Sequence, residues 1–443
     1  MNDATAETPR ALLRGRDAVG IIVGIVIGAG IYRTPPMVAD VTGDAGWMLA
    51  MWVAGGVVSL VGALCYAELA STYPHTGGDY HFLTRAFGRN VSFLYAWARA
   101  TVINTGAIAL LAFVFGDYLS RIVSLGPYST AAWAAIVVVA LTIMNLLSLE
   151  ASARTQNWLT VAEAAGLVLV IVAGAVATPS GTAPAYFAST PPLGLMGLAM
   201  VFVLLTYGGW NEAAYLSAEV RGGHTAIVWT LVVSIAIITL LYVATNAALL
   251  AGLGLGDLAK SKAAPADVVT RAFGNTPGQA LSAFVAITVL TSINATMLVG
   301  ARTNYALSGD WASLRILGGW NAARGVPVRA LLVQSAIALA LVAFGAAQKD
   351  GFDAMVEFTA PVFWGFLTLV GVALFVLRAK DRGRTRPFVV PWYPVTPAIF
   401  VVVCAYLCYS SIGYAASRSA IHVSLLVMAA GAGALLLARW RAR

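Results

Sequence analysis

Residues 20–36, GIIVGIVIGAGIYRTPP, place two demands on a fold that pull against each other. The stretch belongs to an apolar run long enough to cross a bilayer as a helix, yet it holds four glycines and ends in two prolines. Gly28-Ala29-Gly30 lies about eleven residues into the run, ~17 Å deep in a hydrocarbon layer ~30 Å thick. Each glycine costs a helix ~1 kcal/mol relative to alanine, so the helix has a reason to open there. Opened backbone exposes N–H and C=O groups that lipid cannot satisfy, and these are tolerated only where protein, water or a ligand satisfies them. Two readings stay open at this point. Gly20, Gly24 and Gly28 have the spacing of a small-residue packing face. Gly30, Pro35 and Pro36 suit a broken helix that forms half of a binding site for a small zwitterion.

The rest of the chain agrees that the solvent is lipid. Of 443 residues, 60% are hydrophobic and 10% charged, against roughly 25% charged in soluble domains. The apolar runs are continuous over ~20 residues and do not alternate, which selects helices over a transmembrane barrel. No cleavable signal peptide is expected, because a polar start leads through Arg10, Arg14 and Arg16 directly into a full-length span. The net charge of +8 reads as orientation, not as nucleic-acid binding. With the N-terminus inside, nineteen Lys/Arg fall on the cytoplasmic side, six outside and two (Arg33 and Arg99) within spans. That asymmetry follows the positive-inside rule. Cys65, Cys404 and Cys408 all lie in apolar runs, so they imply packing and no disulfide framework. No metal-ligand spacing is present.

The patterning predicts an all-α integral membrane protein of about twelve spans: Asp17–Val41, Trp47–Tyr73, Ser92–Leu119, Ala131–Leu149, Asn157–Ala177, Leu195–Val220, Ala226–Leu253, Gln279–Leu307, Val328–Ala347, Asp353–Leu377, Pro394–Tyr414 and Ala420–Trp440. Residues 1–16 form a cytoplasmic tail and 17–377 a ten-helix core. Residues 378–393 form a basic cytoplasmic loop, and 394–443 hold the last two spans and a basic tail. The segments 74–91 and 254–278 read as an inner and an outer loop. No loop offers a phosphate cradle or a nucleophile–base pair, so function must reside in polar groups within the spans.

The sixth span carries a second interruption. In LLTYGGWNEAAY, Gly208-Gly209 lies ~20 Å into the run and is followed by Trp210, Asn211 and Glu212. A charge near the bilayer centre costs at least ~2.5–3.5 kcal/mol, so Glu212 should face a cavity or a partner. The bland alternative is that the glycines only admit a neighbouring helix. The first span runs inside to outside and the sixth outside to inside, both interrupted at mid-depth. That is the pattern of a five-plus-five inverted repeat with substrate held between two discontinuous helices. An amino acid suits such a site. Bare N–H groups at a half-helix N-terminus meet the carboxylate, and carbonyls at the C-terminal ends meet the ammonium.

Five stretches carry a family resemblance: IIVGIVIGAGIYRTP, YAELASTYPHTGGDYHFLTRAFG, TYGGWNEAAYLSAEV, SINATMLVGARTNYAL and RPFVVPWYPVTPAIF. In this order and topology the chain resembles the amino acid–polyamine–organocation (APC) superfamily, and within it the L-type-like amino acid permeases. The resemblance implies a LeuT-type core, with discontinuous helices 1 and 6, that works by alternating access. It implies that the substrate carboxylate meets amides around Gly28, Ala29, Gly30 and Ile31. The ammonium would meet carbonyls near Ile27, Leu205 and Thr206. Tyr207, Gly208, Gly209, Trp210 and Asn211 would shape the side-chain pocket, and Asn294 stands at the family's position in the eighth span.

The chain departs from the family at three places. Leu205 stands where relatives often carry an aromatic gate. The loop 120–130 lacks the cysteine that ties eukaryotic members to a heavy chain, so no disulfide-linked heavy chain is expected. Glu163 replaces a fifth-span lysine that, in relatives, donates to first-span carbonyls. An ionised Glu163 cannot donate, so it would couple transport to a proton or sodium ion, or else be a carboxylate near the inner surface, solvated or capping a neighbour. Arg99 and Glu68 are further gating candidates, Glu68 together with Asp79 at an inner gate. Arg33 is expected in the outer vestibule, where an outer-rim salt bridge suits it best.

The expected function is a secondary active transporter of amino acids, neutral ones first. It would work as an exchanger or a proton- or cation-coupled symporter in the inner or plasma membrane, with no cofactor and no nucleic-acid partner. The alternative substrates are amines or cationic amino acids, which Glu212 would favour if it faced the pocket. A channel or receptor would not require paired breaks. A membrane enzyme would need convergent His, Asp, Ser or Cys at depth, and no such set is present.

Overall fold

The computed structural model describes residues 15–75, 77–147, 153–177, 186–209, 223–321, 326–417 and 421–441. The protein is helical, apart from one two-stranded antiparallel hairpin pairing Trp320–Asn321 with Val326–Pro327. Eight helices among the described residues are long and apolar enough to cross a membrane: Ala45–Thr72, Arg89–Ser120, Ser129–Leu146, His224–Leu253, Asn275–Asp310, Val328–Ala346, Gly351–Lys380 and Val395–Ala416. Ala162–Val176, Leu193–Thr206 and His422–Leu436 are shorter apolar helices. The Arg89–Ser120 run contains a π-helical turn at Arg99–Ile103.

Two of the expected loops are not loops. The inner one contains the helix Asp79–Phe87, and the outer one contains Leu255–Lys260 and Ala264–Phe273. The last of these carries its own signals, with Pro265 in the first turn, Asp267 near its start and Arg271 in its last turn. These are the residues that a helix N-terminus and C-terminus favour. Its apolar face is only Ala264, Ala266, Val268 and Val269, too short a run to stand out beside full-length spans.

The chain divides into two compact units. One comprises Met1–Ser92, Leu167–Lys260 and Trp364–Ser410, and the other Phe93–Gly166, Ser261–Phe363 and Ser411–Arg443. In the first unit, glycines set how closely helices pack. A Cβ on Gly55 would sit 2.3 Å from Val203 Cγ1, and one on Gly56 would sit 2.1 Å from Thr239 Oγ1. These two residues let the Ala45–Thr72 helix approach both Leu193–Thr206 and Gly223–Leu253, the small-residue packing of membrane bundles.

The second unit is held by hydrogen bonds between helix interiors. Thr142 Oγ1 donates to Ser335 Oγ (2.8 Å), Gln334 Nε2 to the Met297 carbonyl (3.0 Å) and Asn145 Nδ2 to Asn294 Oδ1 (2.8 Å). Such bonds hold transmembrane helices together where burial against lipid supplies little drive.

Asp44 fixes the start of the second long helix. Its Oδ1 caps the Ala45–Thr72 helix by accepting from the N–H groups of Gly46 (2.8 Å) and Trp47 (3.0 Å). The same carboxylate accepts from Phe187 N–H (2.9 Å) and Ala188 N–H (2.8 Å), and the Phe187 ring packs edge-on to Trp47. Burial opposes ionisation of Asp44, but these four donors outweigh it and hold the carboxyl below its usual range. A depressed carboxyl stabilises the fold above its unfolded pKa, and the contribution fades as pH falls through the folded value. Asp44→Ala should therefore cost about 1–2 kcal/mol, the worth of an N-cap, and flatten the loss of stability on acidification. Thermal unfolding in detergent at neutral and acidic pH checks this; equal midpoints for both proteins would refute it.

Candidate functional site

Both expected breaks exist, and they lie against each other within the first unit. The helix Gly15–Val26 ends before Ile27, and helical turns resume at Gly30–Arg33 and Pro35–Thr42. The helix Leu193–Thr206 ends where Tyr207, Gly208 and Gly209 turn. Gly209 has φ +98°, a conformation that glycine adopts freely and L side chains rarely do.

The glycine-rich stretch resolves into parts. A Cβ on Gly20 would meet nothing within 4 Å, and one on Gly28 only Val26 O at 4.0 Å. Neither serves as a packing glycine. Gly30 does, because a Cβ there would sit 2.9 Å from Thr206 Cα. The same residue that starts the resumed helix thus lets the two broken segments touch.

Polar groups finish the junction. The Thr34 N–H and Oγ1 both reach the Gly30 carbonyl (2.9 and 3.0 Å). Thr34 Oγ1 also lies 2.5 Å from Thr206 Oγ1, linking one break to the other. Tyr242, on the Gly223–Leu253 helix, donates its hydroxyl to the Val26 carbonyl at 2.9 Å, with the Thr206 carbonyl 3.4 Å away. Those are the last carbonyls of the two interrupted helices. Tyr242 is buried in an aromatic cluster, edge-on to Trp52 (5.8 Å) and Tyr207 (5.0 Å). Tyr207 in turn donates to the Trp52 carbonyl at 2.9 Å.

One set of groups is left over. The N–H groups of Gly28, Gly30 and Ile31 donate to no backbone acceptor among the described residues. Bare amides at the start of a helical turn carry positive potential and suit an anionic ligand group. The chemistry available at this junction is recognition by fixed dipoles; it holds no nucleophile–base pair.

The other expected residues are dispersed. Ile27, Ala29, Ile31, Thr206 and Tyr207 are buried, whereas Leu205 is 38% exposed. Trp210, Asn211 and Glu212 lie outside the described residues. Asn294 belongs to the second unit, buried and paired with Asn145. Glu163 is also in the second unit, on the Ala153–Val176 helix, and is 6% exposed, so it is not a solvated surface carboxylate. Arg99 sits in the π-helical turn and donates to Tyr95 Oη at 3.3 Å. Arg33 is buried and not in an open vestibule.

Glu68 is buried and fully engaged. It receives Arg378 Nε at 2.7 Å and Nη2 at 2.5 Å, and accepts from Val390 N–H at 2.7 Å. It pins the basic loop 378–393 to the second long helix. Removing one partner of such a buried pair costs ~3–5 kcal/mol.

Sequence reasoning missed Tyr242, Trp52 and Thr34. Tyr242 sits in LLYVATN, one aromatic in a long apolar run with no local mark of a polar role. Thr34 had a signal, a hydroxyl four residues after Gly30 and just before the Pro pair. Tyr242→Phe keeps the ring but leaves the Val26 carbonyl without its donor, a loss of about 1–3 kcal/mol for a buried polar group. Gly30→Ala forces the two breaks apart. Both variants should melt below the parent in detergent, and unchanged melting of either would contradict the junction described.

Comparison with known proteins points the same way. The amino acid permease family model matches residues 13–435. The cystine/glutamate transporter of Homo sapiens is 29% identical over 409 residues, 89% of this chain and 78% of that protein. The b(0,+)-type amino acid transporter 1 of Mus musculus is 26% identical over 87% of this chain and 80% of its own length. The large neutral amino acids transporter small subunit 2 of Homo sapiens is 27% identical over 88% and 74% respectively. The chain belongs to the amino acid permease family.

Proposed function

We propose that the protein moves amino acids across a cell membrane by alternating access, with the two helix breaks as the backbone half of its substrate site. One observation carries the reading. Two opened helices meet at one junction, their terminal carbonyls share Tyr242, and the amides of Gly28, Gly30 and Ile31 beside them have no backbone acceptor among the described residues. The α-carboxylate of a substrate takes the amides of Gly28, Ala29, Gly30 and Ile31. The α-ammonium takes carbonyls around Ile27, Leu205 and Thr206. Specificity then falls to Tyr207, Gly208, Gly209, Trp210 and Asn211.

In this reading the chain has twelve spans in a LeuT-type five-plus-five inverted repeat over residues 17–377, with its termini cytoplasmic in a plasma or inner membrane. Positive-inside charge and the opposed orientation of the two breaks support it. Neutral amino acids are the first substrate class. A relative named for large neutral amino acids supports this order, and cationic amino acids and amines are the alternative. The mode is exchange or proton- or cation-coupled symport, and no disulfide-linked heavy chain is expected.

The test is a thermal-shift screen of the twenty amino acids and common polyamines on purified protein, followed by counterflow with the hits in proteoliposomes. A stabilising neutral amino acid that also drives counterflow is the expected result. Stabilisation only by polyamines would move the assignment to amines, and no shift with any of them would remove it. Amides that read the α-carboxylate predict one further selectivity, namely that the decarboxylated amine of any hit should fail to compete.

Glu163 supplies the coupling part of the proposal. Its burial supports reading it as a proton- or cation-linked group in place of the lysine of relatives. Glu163→Gln should abolish the pH or sodium dependence of uptake while leaving counterflow intact. An unchanged response to both ions would remove Glu163 from the mechanism.

A further inference from the structure

A pocket of about 510 Å³ opens where the Gly351–Lys380 helix ends and the chain turns back into the Val395–Ser417 helix. Its walls include Phe375, Arg378, Arg382, Arg386, Val389 and Tyr393. Two guanidiniums, of Arg378 and Arg386, share the Glu68 carboxylate there. Arg378 forms the bidentate pair with Glu68 and lies 3.8 Å from the Tyr393 ring centroid. Arg386 reaches Glu68 at 3.6 Å and donates to the carbonyls of Arg384 and Asp381. Arg382 is exposed and has no ion-pair partner among the described residues. The neighbouring carboxylate, Asp381, is committed to Tyr73 (2.9 Å) and Arg85 (3.2 Å), and the Tyr73 hydrogen bond holds it below its usual range. The pocket therefore keeps positive charge that no side chain among the described residues balances.

Beside that charge lies apolar surface. Phe375 and Tyr393 face each other with centroids 5.7 Å apart, and Val389 is exposed. From the pocket, Val395, Ile399 and Val402 run along the next helix, all exposed, at the spacing of one helical face. Trp392, at the turn, is 84% exposed. A site for a soluble anion needs none of this. Tryptophan and tyrosine at a span end mark the headgroup level of a bilayer. Lysines and arginines just past a span end attract anionic lipid.

We infer that this pocket holds the phosphate headgroup of an anionic glycerophospholipid against Arg382 and Arg378, with an acyl chain along the Val395, Ile399 and Val402 face. The lipid would brace the loop that Glu68 pins, from the side that Glu68 does not reach.

The test uses the full chain in nanodiscs of mixed phosphatidylglycerol and phosphatidylcholine, with retained lipid counted by native mass spectrometry after extraction. The parent should retain phosphatidylglycerol over phosphatidylcholine. Arg382→Ala should lower that retention about fivefold, the factor for one charge at an anionic surface, and Arg382→Lys should keep most of it. Arg382 is exposed, so both variants should melt with the parent. Equal retention by the parent and Arg382→Ala, or equal retention of the two lipids by the parent, would overturn the assignment. So would stabilisation by inorganic phosphate that matches that by phosphatidylglycerol, which would make the site one for a soluble anion.

Discussion

Opening a helix inside lipid is tolerable only if something takes over the hydrogen bonds that the helix gave up. In this protein a single phenol does so for two helices at once. Tyr242 stands between the terminal carbonyls of Gly15–Val26 and Leu193–Thr206, and the paired hydroxyls of Thr34 and Thr206 join the segments from the side. The carbonyl ends are thereby largely provided for, while the amide ends beside Gly28 and Gly30 are not. That asymmetry gives the junction a direction: its unmet demand is for an acceptor. In the proposed function the carboxylate of an amino acid answers it.

The polar groups of the first unit follow a similar economy. Asp44 gathers four backbone donors at one end of the Ala45–Thr72 helix, and Glu68 gathers Arg378 and Val390 near the other. Between them the helix is apolar and glycine-bearing where it touches its neighbours. Buried charge sits where each carboxylate has several donors, the condition under which it is affordable.

Much of this was legible in the sequence, for reasons that can be traced. Continuous apolar runs announce helices in lipid, and the glycine pairs announce where two of them stop. The packing and broken-helix readings of residues 20–36 look like rivals on paper. At Gly30 they are one fact, because the residue that permits the break also permits the contact with Thr206. The short helices Asp79–Phe87 and Ala264–Phe273 escaped notice because their apolar faces are a few residues wide. Tyr242 escaped for the opposite reason: it is one hydroxyl among several scattered along a long apolar helix, and its partners lie 216 and 36 residues away in sequence.

The Asp44 carboxylate has a meaning for how the chain is assembled. Two of its donors, at Gly46 and Trp47, are present as soon as the second long helix forms, but the other two are 143 and 144 residues further on. Until the ribosome has delivered that distant segment, half of the carboxylate's bonding capacity must be met by water. The early hairpin of the protein therefore enters the membrane with a hydrated corner that only a late arrival can dry. Closing that corner joins the first two segments of the first unit, before its third, Trp364–Ser410, has been made.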